Sequence, residues 1–284
     1  LDASYLTSAG ATWNDKSGNG NDATKNGSPT VVTNAQNGHS VMRYSGANGD
    51  YHEWTDLNDI RTIFWVIKAE STNGGFLLGD DNQYHFHHNQ GNPPNFWHGS
   101  HASANVRNGN LSINGTRNIS GTSTAINASL SNLSIVNLKT AGNVEASRFS
   151  RDRTQSGRNW KGDLGELIIY NSPLTDSEIQ KIEVYLGNKW GLESSFPNSH
   201  PSNVAHAGGG AGYAGKGNDP FIGISNNSYG DGALTNLMGG SGGGGGDYPG
   251  GAGGGAIELL AHGDGVLTLT SAAKILANGG DASR

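Results

Sequence analysis

Five of the chain's ten histidines fall within the seventeen residues from His85 to His101. They lie in Gly79-Asp80-Asp81-Asn82-Gln83-Tyr84-His85-Phe86-His87-His88 and Phe96-Trp97-His98-Gly99-Ser100-His101. On a strand, His85 and His87 share one face and Tyr84, Phe86 and His88 the other, because side chains alternate with period two. An aromatic ring that stacks on sugar C–H groups, with imidazoles and carboxylates fixing hydroxyls, is what a saccharide site needs. Asp80, Asp81, His85, His87, Trp97, His98 and Arg107 are therefore the candidate ligand-binding residues. Two rival readings share them. Imidazoles with an Asp suffice for zinc or nickel, although the spacing fits no familiar zinc motif. Asp80 and Asp81 after Gly79 also offer hard oxygens to Ca²⁺ on a rim loop, against a turn in which the same carboxylates cap amides. The bland alternative is a set of histidines satisfying hydrogen bonds on a sheet.

Other groups carry less chemistry. Asp15 to Asp22 and Asp56-Asn58-Asp59 offer further oxygens. Arg148, Arg151, Arg153 and Arg158 form the one basic cluster, suited to an acidic polysaccharide through bidentate pairing or, more blandly, to pairing with Asp152. Trp54, Trp65 and Trp190 read as packing residues.

The elements that position these residues are mostly strands. Residues 162–191 are the exception, running strand, proline turn and helix in succession. Thr175 and Glu178 form a Thr-x-x-Glu capping box. Ile179, Ile182, Leu186 and Trp190 fall on one helical face, and Gly191 suits a left-handed stop. Strands are expected at 30–32, 39–44, 62–68, 75–78, 82–88, 104–106, 110–113 and 133–140, with Asn, Gly, Ser and Thr between them as turns require. The helix is then a terminal lid on an all-β structure.

The opening segment, with Trp13-Asn14-Asp15-Lys16-Ser17-Gly18-Asn19-Gly20-Asn21-Asp22, and the later GDLGELIIYNSPLTDSEIQKIEVYLGNKWGL resemble both ends of laminin-G-like, concanavalin A-like jelly-roll domains of large secreted bacterial proteins. The resemblance spans residues 1–193. It implies an antiparallel jelly-roll sandwich with one C-terminal helix, a rim Ca²⁺ in many members, and a first strand that begins upstream of Leu1 in a longer polypeptide with flanking domains. The fold hosts lectins, adhesion modules and glycanases alike. Laminarinase-type enzymes carry Glu-x-Asp-x-x-Glu; here Lys161-Gly162-Asp163-Leu164-Gly165-Glu166 puts lysine where the first carboxylate belongs, so the retaining pair is missing. A lyase would draw on Tyr84, His85, His87 and Arg107 without a recognisable motif.

After Pro197 and Pro201 the composition changes. Residues 194–206 read as a linker and 207–284 as a glycine-rich domain, holding 25 of the 46 glycines. Apolar pieces such as Phe221 to Ile224 and Val266 to Leu269 argue that it is ordered, as packed polyglycine helices or a partial β-solenoid. Cysteine is absent, which removes disulfides and thiol chemistry. A net charge of −6 argues against nucleic acid, and no apolar run reaches membrane-spanning length. The expectation is a noncatalytic extracellular module that binds glycans or mediates adhesion, with a ligand-free spacer as the competing class and a polysaccharide lyase or hydrolase as the third.

Overall fold

The structure is a computed structural model, and it describes residues 1–70, 75–88, 94–153, 155–200, 217–218 and 225–226. The chain divides into two compact units, Leu1–Asn203 and Val204–Arg284. In the second unit the described residues form one antiparallel pair, Gly217–Asn218 with Ser225–Asn226. The remainder of the glycine-rich segment, with its expected polyglycine helices or solenoid turn, lies outside the described residues.

The first unit is built on a single antiparallel sheet. Its strands are β1 (Thr12–Trp13), β2 (Ala23–Asn26), β3 (Thr30–Gln36), β4 (His39–Ser45), β5 (Tyr51–Ala69), β6 (Asn110–Ile113), β7 (Thr116–Ile119), β8 (Ser134–Phe149) and β9 (Lys161–Tyr170). The order β3-β4-β9-β5-β8-β6-β7 places the two longest strands near the middle, while β2 joins the N-terminal end of β5 and carries β1. Three register shifts between Glu53 and Thr62 interrupt the β5–β8 pairing. Such bulges bend a strand and increase its twist. They let one strand leave the β9 pairing at Thr62 and continue beside β2 at Glu53.

Both faces of the sheet are buried, which explains the unbroken apolar run Ile63-Phe64-Trp65-Val66-Ile67. Ile63, Trp65 and Ile67 enter a core with Trp13, Tyr44, Phe86, Phe149 and Trp160. Phe64 and Val66 point the other way, to Ile179, Leu186 and Trp190 of the long helix. That helix, α3 (Asp176–Trp190), starts as its sequence requires. Thr175 Oγ1 accepts from the Glu178 amide at 3.3 Å, and Glu178 Oε2 accepts from the Thr175 amide at 2.7 Å. Gly191 stops it at φ 64°. Two further helices, α1 (Ala104–Arg107) and α2 (Ile126–Ser129), are single turns. No helix among the described residues is long and apolar enough to cross a membrane.

Three of the expected strands take other forms. Ala104–Val106 lies in α1 because Ser103 caps it, its side chain accepting from the Val106 amide. Residues 75–78 form no ladder and bend at Leu77 and Leu78, and the chain then joins β8 through the Gly79–Arg148 bridge. Residues 82–88 are a chain of turns, for reasons given below. Conversely β5 and β8 extend well beyond the apolar stretches 62–68 and 133–140, and residues 194–200, read as the start of a linker, fold onto the first unit. There Phe196 joins the helix-side core, and His200 Nε2 reaches Glu183 Oε2 at 3.1 Å.

Candidate functional site

The histidine-rich segment does not form the expected strand because Asp80 turns it. Asp80 is buried, and its Oδ1 accepts the amides of Asn82 and Gln83 at 2.8 and 3.0 Å while Oδ2 accepts from Ser147 Oγ at 3.1 Å. Burial alone raises a carboxyl pKa, yet these bonds together hold that of Asp80 below the ordinary range. A second turn follows, with the His87 amide on the Tyr84 carbonyl, and Ser103 N and His98 N then bond the carbonyls of His85 and His87.

Trp97 corrects the sequence expectation most sharply. It is 1% exposed, packed in the main core with Phe86 and Phe96, each with ring centroids 6.0 Å away. It therefore offers no face to a sugar. Arg107 is also committed, donating to the carbonyls of Ala102 at 2.9 Å and Gly99 at 2.8 Å, so it braces its own loop. Asp81 is 60% exposed at its side chain but pairs with Arg148 at 2.6 Å. Asp80 and Asp81 thus share no open carboxylate pair for a rim cation; one caps a turn and the other holds an arginine.

His85 Nε2 lies 3.8 Å from Glu145 Oε1, away from the other imidazoles' partners. His87, His98 and His101 do converge, with ring centroids 4.2 to 5.4 Å apart. Their hydrogen bonds set the tautomers. His87 Nδ1 donates to the His88 carbonyl at 2.8 Å, leaving Nε2 with a lone pair. His98 Nδ1 accepts the amides of Ser100 and His101, both at 3.1 Å, so its Nε2 carries the proton and presents a donor instead of a metal ligand. Burial lowers the pKa of both rings, and His101 lowers that of His98 further. Among the described residues no three His, Cys, Asp or Glu side chains are placed to hold a metal ion.

The remaining sequence candidates are bound up in structure. Buried Asp152 takes Arg158 at 2.7 Å and Arg153 at 3.2 Å, and Arg151 lies over the Tyr51 ring. Asp15 accepts from the amides of Ser17 and Asn21, closing its loop. Asp163 is held by Arg43, and Glu166 by Lys189 and the Trp190 indole.

A more open arrangement lies elsewhere. Lys189 Nζ sits 2.8 Å from both Asp2 Oδ2 and Glu166 Oε2. Burial opposes its charge, but the two carboxylates raise its pKa above that of an ordinary lysine. The same Nζ stands 5.7 Å from the Tyr5 ring centroid and 5.6 Å from that of Tyr185. Those tyrosines are 76% and 51% exposed. One fixed cation thus orders two solvent-facing aromatic rings.

Tyr185 also borders a cavity of about 290 Å³, whose walls include Trp54, Leu57 and the polar loop residues Asp15, Lys16 and Asn19. The Trp54 indole N–H has no hydrogen-bond partner among the described residues. Sequence reasoning passed over this place. Tyr185 and Lys189 are i and i+4 along the flank of the apolar helix face, a pairing that signals proximity, but nothing local ties either to Tyr5 or to Trp54. No family model, curated protein or solved structure matches the chain. The functional reading accordingly rests on geometry.

Proposed function

We propose that the first unit is a laminin-G-like, concanavalin A-like jelly roll serving as a noncatalytic extracellular carbohydrate-binding or adhesion module of a larger bacterial surface or secreted protein, with the glycine-rich unit as its structural neighbour. One observation carries the binding role: two of the three exposed large hydrophobic side chains among the described residues, Tyr5 and Tyr185, are held around one buried-stem lysine, and Tyr185 borders a cavity. Exposed apolar surface grouped beside fixed polar atoms marks an interaction site. The rings present flat faces to sugar C–H groups. Asn19, on the cavity wall, supplies an amide donor and acceptor for hydroxyls.

A glycan array on the intact chain, followed by titration of the best neutral oligosaccharide, tests this. Truncating one stacking ring removes about 1 kcal/mol, roughly a fivefold loss of affinity. Tyr5→Ala and Tyr185→Ala should each show that loss with an unchanged melting temperature. Silence of the wild type across the array would leave the spacer reading in its place.

A further inference from the structure

A charged row crosses the helix-bearing face of the sheet where the helix ends. The registers Arg43↔Asp163 and Lys68↔Asp163 set these three side by side on β4, β9 and β5. By the two-residue alternation they face the same way as Val41 and Val66, which pack in the helix-side core. Because Gly191 terminates α3, the row is left uncovered. It lies in a furrow of about 540 Å³, with Val41, Leu133 and Leu192 as apolar walls and Asn132, Ser194 and Ser195 on the rim.

The charges in this furrow are unequal. Asp163 is spent on Arg43, whose Nε and second guanidinium nitrogen donate to its two oxygens at 2.7 and 2.9 Å. Arg43 also reaches Glu70 at 3.3 Å. Glu70 balances the net charge of the row, but Lys68 itself forms no ion pair among the described residues and is the cation of the furrow lining without a carboxylate partner. The helix end does not neutralise it: the Gly187 carbonyl takes the amides of Gly191 and Leu192, and Asn37 Nδ2 caps the Lys189 carbonyl at 3.0 Å.

The geometry points to a second binding site, for the carboxylate of an acidic sugar. Lys68 pairs with the carboxylate, and the Arg43–Asp163 pair fixes the register of the neighbouring strands. The walls formed by Val41, Leu133 and Leu192 accept the C–H face of a pyranose ring, and the serine hydroxyls with Asn132 meet its hydroxyls. The site does not depend on the tyrosine-lined cavity.

Trigalacturonate titrated into the intact ¹⁵N-labelled chain tests the assignment. Saturable shifts are expected at the amides of Lys68, Ser194 and Ser195. Affinity should fall about tenfold in Lys68→Gln, the loss of one charge-assisted hydrogen bond, and by a similar factor for the fully methyl-esterified trisaccharide. Tyr185→Ala should bind as the wild type does, so a failure of the tyrosine site and a failure of this one are distinguishable. The proposal is overturned if Lys68→Gln binds unchanged, if the ester binds equally well, if shifts cluster around Tyr185, or if acetate at equal carboxylate concentration reproduces the same shifts.

Discussion

Replacing Trp97 by alanine separates a surface role from a core role. In the structure the indole is fully buried between Phe86 and Phe96, against a glycine at 121 so close that an added Cβ would fall well inside contact distance of Trp97 Cδ1. Deleting a buried indole costs about 3 to 5 kcal/mol through lost transfer energy and the cavity left behind. For a unit the size of Leu1–Asn203 each kcal/mol lowers the melting temperature by about 2 to 4 °C, so Trp97→Ala should melt about 6 to 20 °C below the wild type. Differential scanning calorimetry reads the change directly. Gly121→Ala alone should also destabilise, because the new methyl has no room. Combined with Trp97→Ala it should cost less than the sum of the single changes, since the methyl enters space the indole has vacated. A Trp97→Ala chain that melts within about 2 °C of the wild type while losing glycan binding would refute the buried placement and restore the ring to the surface.

Two other predictions concern buried charge. Glu183 is 0% exposed and holds Arg117 at 2.5 Å and His200 at 3.1 Å, with Ser112 Oγ donating at 3.2 Å. Glu183→Leu strands those partners and should cost about 3 to 5 kcal/mol in chemical denaturation; a change under about 1 kcal/mol would show that the cluster is solvated. His52 is buried beside Tyr44, whose hydroxyl is 2.7 Å from its Nδ1, and burial lowers its pKa from 6.5 to about 4. Between those values the unfolded chain binds the proton and the folded one does not, so stability rises with pH across that window and is lost as pH falls from about 6.5 to 4. At 1.36 kcal/mol per pKa unit the effect approaches about 3 kcal/mol. Melting curves at pH 4.5 and 7 should show it, and His52→Asn should flatten the dependence.

The parts of this fold that were legible in the sequence are those fixed by near neighbours. The capping box of Thr175 and Glu178 closes within three residues, Gly191 stops α3 within one, and the apolar run of 62–68 announces burial on both faces without reference to any partner. The site was misread because its apparent signal was also local. Alternating His and aromatic residues at 84–88 have the period of a strand, but whether they form one depends on Asp80, whose side chain takes the amides of Asn82 and Gln83 before a ladder can begin. The tryptophan three residues beyond Pro94 looked like a platform because composition does not show burial. It became core because Gly121 leaves room for its ring and the Gly121 carbonyl accepts its amide at 2.8 Å, both from a loop 24 positions away in the chain.

The same distinction explains why the more open arrangements escaped notice. Tyr5 meets Lys189 only because Asp2 bridges to Glu166 and so brings the first residues of the chain alongside β9. Arg43, Asp163 and Lys68 become one row only through two strand registers, β4 with β9 and β9 with β5, which join residues 120 (163 − 43) and 95 (163 − 68) positions apart. In a sheet whose neighbours are remote in sequence, a surface is assembled from single residues that each look ordinary where they stand. An exposed tyrosine or an unpaired lysine gains meaning from the strand beside it, and a dense local motif such as 80–101 can instead be spent on turning the chain.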